Sequence, residues 1–259
     1  DVHCAENGHI FDIAVTAWQG ENNAYVRIAD YHTNIVSIHR NGETLLEKTA
    51  ETQENGLTDR RCLSVEGIVE FADHVELDAV KPTLERQIEC NMAIAAEGLR
   101  GNYGANIGKT LLKNHEDSID YKMRAWAAAG SDARMNGCEL PVVINSGSGN
   151  QGITASVPVI VYARENETSH EELLRALCVS NLVTIHLKTG IGRLSAYCGA
   201  VSAGVGAGAG IAYLKGGGFE QIAHTVVNAV AVTSGIICDG AKASCAAKIA
   251  AAVDAGILG

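Results

Sequence analysis

Three cysteines in the last third of the chain are the residues best suited to do chemistry: Cys198, Cys238 and Cys245. Cys198 sits in Ala196-Tyr197-Cys198-Gly199-Ala200, and the other two close the segment Cys238-Asp239-Gly240-Ala241-Lys242-Ala243-Ser244-Cys245. Small neighbours let a backbone approach a bulky group, and thiolates are soft ligands suited to zinc or an iron–sulfur cluster. Cys238 follows Cys198 by 40 residues, and six residues separate Cys238 from Cys245. No Cys-x-x-Cys occurs, so zinc-ribbon and ferredoxin signatures are absent. Spacing alone therefore leaves three readings open: a cluster site, a zinc site in a hydrolase, or buried thiols in a metal-free helical subunit or binding module.

A second chemical segment is Asn145-Ser146-Gly147-Ser148-Gly149-Asn150-Gln151-Gly152, ahead of the apolar run from Ile153 to Tyr162. Free backbone amides at a helix start can cradle a carboxylate or phosphate. Ser146, Ser148, Asn150 and Gln151 add side-chain donors around Gly149, although polar loops of this kind also merely begin helices. The segment lacks the Lys of a nucleotide P-loop and the spacing of a dinucleotide fingerprint. In Ser131-Asp132-Ala133-Arg134-Met135, Arg134 could grip a substrate carboxylate as a fork, or could form an ordinary ion pair with Asp132. His32, His186 and Lys188 carry less weight, because a turn His and cations at a helix end are common.

The elements that must position these residues read as an α+β fold. Alternation from Phe11 to Trp18, then Ala24 to Ile28, then Ile35 to His39 and Thr44 to Glu47, with Asn41-Gly42 as a hairpin turn, predicts an antiparallel β meander. Residues 1–60 are thus expected to be β-rich and 61–259 to be a mainly helical domain with Gly/Ala-rich buried helices. Ser64 is expected to cap a helix, and Pro82 to sit in the first turn of the next, which Gly98, Gly101 and Gly104 interrupt. Further helices are expected over 107–112, from Ser118 to Met135, after the Ser169/Glu172 capping box, and over 191–214 and 219–236. Gly204, Gly206, Gly208 and Gly210 weaken the first of the last pair unless neighbours press close.

Bulk properties narrow the function. Thirty acidic and 20 basic residues give a net charge of −10, which disfavours nucleic acid and anionic membranes as partners. Eight cysteines in 259 residues are too few for a disulfide scaffold, and the polar start Asp1-Val2-His3-Cys4 reads as cytoplasmic, with reduced thiols.

Ser146-Gly147-Ser148-Gly149-Asn150-Gln151-Gly152, Arg193-Leu194-Ser195-Ala196-Tyr197-Cys198 and Cys238-Asp239-Gly240-Ala241-x-x-Ser244-Cys245 closely resemble the L-cysteine desulfidase family, related to the α chain of iron–sulfur L-serine dehydratases. His32-Thr33-Asn34-Ile35-Val36 and Ser131-Asp132-Ala133-Arg134-Met135 also look like family segments. The resemblance covers nearly the whole chain. It implies a [4Fe–4S] cluster held by Cys198, Cys238 and Cys245, with one iron open to substrate. It implies β-elimination on L-cysteine or L-serine, with substrate contacts from Ser146, Ser148, Gly149, Asn150, Gln151 and Arg134. The substrate is a small amino acid, the assembly is allowed to be a homodimer, and the catalytic base is not assigned. Family members are longer at both ends and carry an N-terminal Gly-Cys-Thr-Glu-Pro-like motif that Cys4 does not match, so the chain is expected to be a fragment.

Overall fold

The computed structural model describes residues 1–4, 6–9, 11–30, 34–49, 59–192, 195–234 and 236–259. The resemblance-bearing His32, Thr33, Arg193 and Leu194 lie outside the described residues. The chain divides into two compact units, Asp1–Asp59 and Arg60–Gly259.

The first unit is a four-stranded antiparallel meander in the order β1 (Asp12–Gln19), β2 (Asn22–Ala29), β3 (Ile35–Arg40) and β4 (Glu43–Glu47). Asn41 and Gly42 both take positive φ (49° and 84°), as a two-residue hairpin turn requires. Arg27 on β2 forks onto the Asp12 carboxylate on β1, at 3.0 and 2.7 Å.

The second unit is helical: α1 (Val65–His74), α2 (Leu77–Arg100), α3 (Ile107–Leu112), α4 (Ile119–Met135), α5 (Gly149–Glu165), α6 (His170–Ile191), α7 (Gly199–Leu214), α8 (Phe219–Thr233) and α9 (Cys245–Leu258). The start signals act as read. Ser64 Oγ accepts from Gly67 N, Ser118 Oγ from Tyr121 N, and Ser169 and Glu172 form the capping box of α6. Together the two units make an α+β fold.

Three expectations are corrected. First, α2 begins at Leu77, so Pro82 lies in its second turn and removes one rung of hydrogen bonding there. Second, Gly98 does not interrupt that helix: a Cβ there would stand 1.9 Å from the Ala129 carbonyl oxygen, so it marks where α2 crosses α4. Third, no helix starts at 191. Gly192 takes φ +83° after α6, α7 begins only at Gly199, and α8 stops at Thr233. The backbone of 196–198 pairs instead with 236–238.

α7 is the buried centre, packed by α5, α6, α8 and α9. Its glycines divide by face. A Cβ at Gly204 or Gly208 would strike the Ala252 or Gly256 carbonyl of α9 at 2.3 Å. One at Gly206 would meet Thr184 Oγ1 of α6 at 2.1 Å, and one at Gly210 the Ala176 carbonyl at 3.0 Å. Residues four apart share a helix face, so the alternating glycines let two helices close on α7 from two sides. This fixes the N-terminal end of α7, where Cys198 stands. Among the described residues no helix is long and apolar enough to cross a membrane.

Candidate active site

Cys198 is the N-cap of α7 and Cys245 the first residue of α9. A short antiparallel pairing joins the segments before them. Cys198 N–H donates to Ile236 O at 3.1 Å, and Cys238 N–H to Ala196 O at 2.7 Å, flanking the pair Tyr197 and Ile237. Side chains alternate across a pleat. Tyr197 and Ile237 therefore project to one side, where they are 56% and 54% exposed, and Cys198 and Cys238 to the other. The two cysteines are diagonal neighbours, a relation that sets residues ~7–8 Å apart. Cys245 follows the turn after Asp239, its Sγ donating to Gly240 O at 3.7 Å.

Burial pushes the Cys198 thiol up, the Ala200 amide opposes this, and the charges of Cys238 and Cys245 push it further up while Lys248 draws it down. Lys248 is already paired with Asp239, and its Nζ also donates to Ile237 O at 3.1 Å. Among the described residues no three His, Cys, Asp or Glu side chains converge on one metal ion. A single zinc draws its sulfurs to about 2.3 Å from one centre. The all-thiolate donor set of the three cysteines is of the kind that holds zinc or an iron–sulfur core.

The serine–asparagine loop reaches the same place. Ser146 and Gly147 take positive φ (48° and 81°), and Asn145 and Ser148 exchange backbone hydrogen bonds at 3.1 and 3.0 Å. Buried Asn145 is held by Asn181 Oδ1 at 2.9 Å, and Asn181 in turn bonds Gln87. Ser146 Oγ donates to Asn145 Oδ1 at 2.9 Å, and Ser148 Oγ accepts from Gln151 N at 3.4 Å as the N-cap of α5. Both hydroxyls expected as substrate contacts thus shape the loop.

Gln151 is 6% exposed, and its buried Oε1 has no donor among the described residues. Its amide presses on Gly199, next to Cys198: a Cβ at 199 would stand 2.5 Å from Gln151 Cδ and Nε2. Arg134, at the end of α4, lies over Gly149, where a Cβ would stand 2.3 Å from its Nε. Its Nη1 donates to Asn150 Oδ1 at 3.3 Å, and it has no carboxylate partner among the described residues. Burial lowers its pKa, and the nearby Cys245 pulls it back up. Gln151 therefore lies against Gly199 beside Cys198, and Arg134 lies over Gly149 with Asn150. No Asp132–Arg134 ion pair forms; the Asp132 carboxylate instead accepts from Gly108 N at 2.9 Å.

Lys188, given little weight from the sequence, is 5% exposed. Ser180, Thr184 and Lys188 repeat every four residues and are all buried. That small-polar stripe, continuing into a lysine, is the signal that could have singled it out.

A family model for the serine dehydratase alpha chain matches residues 13–259. A UPF0597 protein of Desulfitobacterium hafniense is 60% identical over 260 residues, covering all of this chain and 60% of that relative. One from Lachnoclostridium phytofermentans is 54% identical over 246 residues, covering 95% of this chain and 59% of the relative. One from Treponema denticola is 50% identical over 253 residues, with the same shares of 95% and 59%. The chain thus spans about 60% of the length of these curated relatives. No solved structure matches it.

Proposed function

The chain belongs to the serine dehydratase α-chain family, and on that premise we propose an iron–sulfur-dependent lyase that carries out β-elimination on L-cysteine or L-serine. Loss of the α-proton and of the β-thiol or β-hydroxyl gives aminoacrylate. Water then converts this to pyruvate and ammonia, with sulfide released from cysteine. Cys198, Cys238 and Cys245 would hold the cluster, which when bound supplies an open iron as a Lewis acid for the leaving group. Arg134 offers a planar fork for the substrate carboxylate, because no carboxylate of the described residues occupies it. Gln151 Oε1, buried without a donor, accepts from the α-ammonium. Gly199, lacking a side chain, lets the Gln151 amide close on the backbone beside Cys198. Eight cysteines, too few for a disulfide scaffold, fit a reducing cytoplasmic compartment.

The observation that carries this reading is the contact of Gln151 with Gly199, which joins the substrate loop to the cysteine segment. Anaerobic reconstitution followed by iron, sulfide and pyruvate analysis with both substrates tests it. Cys238→Ala is expected to abolish both the visible iron–sulfur absorbance and turnover. Zinc in place of iron and sulfide, or a Cys238→Ala protein that still makes pyruvate, would overturn it.

A further inference from the structure

Lys188 sits in the last turn of α6, buried, with no hydrogen bond or ion pair to any described residue. Burying a lone ammonium is costly unless a partner is provided. The usual remedy in a last turn is donation to the final carbonyls of the helix, and Lys188 makes no such bond to a described residue. The other cations near the cysteines differ: Lys248 has Asp239, and Arg134 has Asn150. Burial lowers the Lys188 pKa, and the charges of Cys198 and Cys238 oppose that lowering. Its helix also adjoins Cys198 directly. Leu187 and Ile191 line a mostly apolar cavity of about 250 Å³ together with Cys198 and Val201.

Lys188 is thus a buried cation, unpaired by any described carboxylate, on a helix that shares a cavity wall with Cys198, and such a group is built to meet net negative charge. We propose that Lys188 is a positioning residue that places a fixed positive charge beside Cys198 and Cys238, favours retention of a thiolate-bound iron–sulfur group there and raises its reduction potential. This rests on the reading that these cysteines hold such a group. The direction follows from Coulomb's law: a nearby cation in a low-dielectric surrounding stabilises the state that has gained an electron.

The test compares wild type, Lys188→Met and Lys188→Arg after anaerobic reconstitution. Iron and sulfide content, the midpoint potential from a spectroelectrochemical titration, and helical melting are measured for each. Lys188→Met is expected to melt like wild type and to shift the reduction equilibrium roughly tenfold toward the oxidised form, about 59 mV lower for one electron. Lys188→Arg is expected to return the potential to near the wild-type value. Lys188→Gln serves in place of the methionine variant if that one does not fold. A loaded neutral variant at the wild-type potential overturns the Lys188 assignment alone. So does the failure of both neutral variants to fold while Lys188→Arg folds, since the role is then structural. A wild-type protein that takes up no iron and sulfide overturns the cluster reading, and this proposal with it.

Discussion

Arg134 illustrates how much one side chain carries. A hydrogen bond to a charged group contributes about 1.5–3 kcal/mol, so Arg134→Met is expected to raise KM roughly ten- to a hundredfold with a smaller change in kcat. Arg134→Lys keeps the charge but loses the fork, so steady-state kinetics should place it between the two. Asp132 gives a prediction in pH. It is 1% exposed, Oδ1 has no partner among the described residues, and burial raises its pKa against the amides of Gly108 and Ile107. The folded pKa lies above the unfolded one, so the native state binds the extra proton. The stability from this group is full below the ordinary carboxylate pKa of about 4 and is lost as pH rises through the folded value. Asp132→Asn should flatten that slope in urea unfolding midpoints followed against pH, with a gain on the order of 1 kcal/mol near neutrality. At this scale residue types told part of the story. Soft thiolates and a Gly/Ser/Asn loop are visible in one dimension. The division of that loop into builders, Ser146 and Ser148, and free groups, Gln151 Oε1, depends on where α5 starts. The importance of Lys188 depends on what α6 packs against.

The helices were read well where a local cap announces them and less well where tertiary pairing decides. Ser64, Ser118 and Ser169 each mark a start that the backbone obeys. The pairing of 196–198 with 236–238 is a contact across forty positions that periodicity cannot register. Gly98 looked like a breaker because its crossing partner, Ala129, lies on another helix. The close approaches make sharp predictions. Gly204→Ala and Gly208→Ala force a Cβ into α9 carbonyls and are expected to cost about 1–3 kcal/mol each, as overpacking does. Gly190→Ala, on an exposed part of α6 with nothing within 4 Å of the added carbon, should be neutral or gain about 0.5–1 kcal/mol. Urea denaturation of the three variants separates packing from helix propensity.

At the scale of the molecule, the main core is drawn entirely from residues beyond 60: its buried members run from Ile68 to Val253. Residues 60–259 alone are therefore expected to keep a cooperative thermal transition and a helical circular dichroism spectrum; a molten, non-cooperative melt would show that the core needs the sheet unit. The α+β order was legible because alternation gives way to three- and four-residue spacing along the chain. The diagonal placement of Cys198 and Cys238 also bears on how this protein meets oxygen. Cysteines whose Cα atoms stand more than about 7 Å apart cannot be bridged without backbone movement. At the diagonal separation of about 7–8 Å that such a pairing sets, the two thiols are expected to resist direct joining into a disulfide. Air exposure should leave this pair recoverable without a reductant to split a bridge, and non-reducing peptide mapping of aerated protein should find no Cys198–Cys238 cross-link.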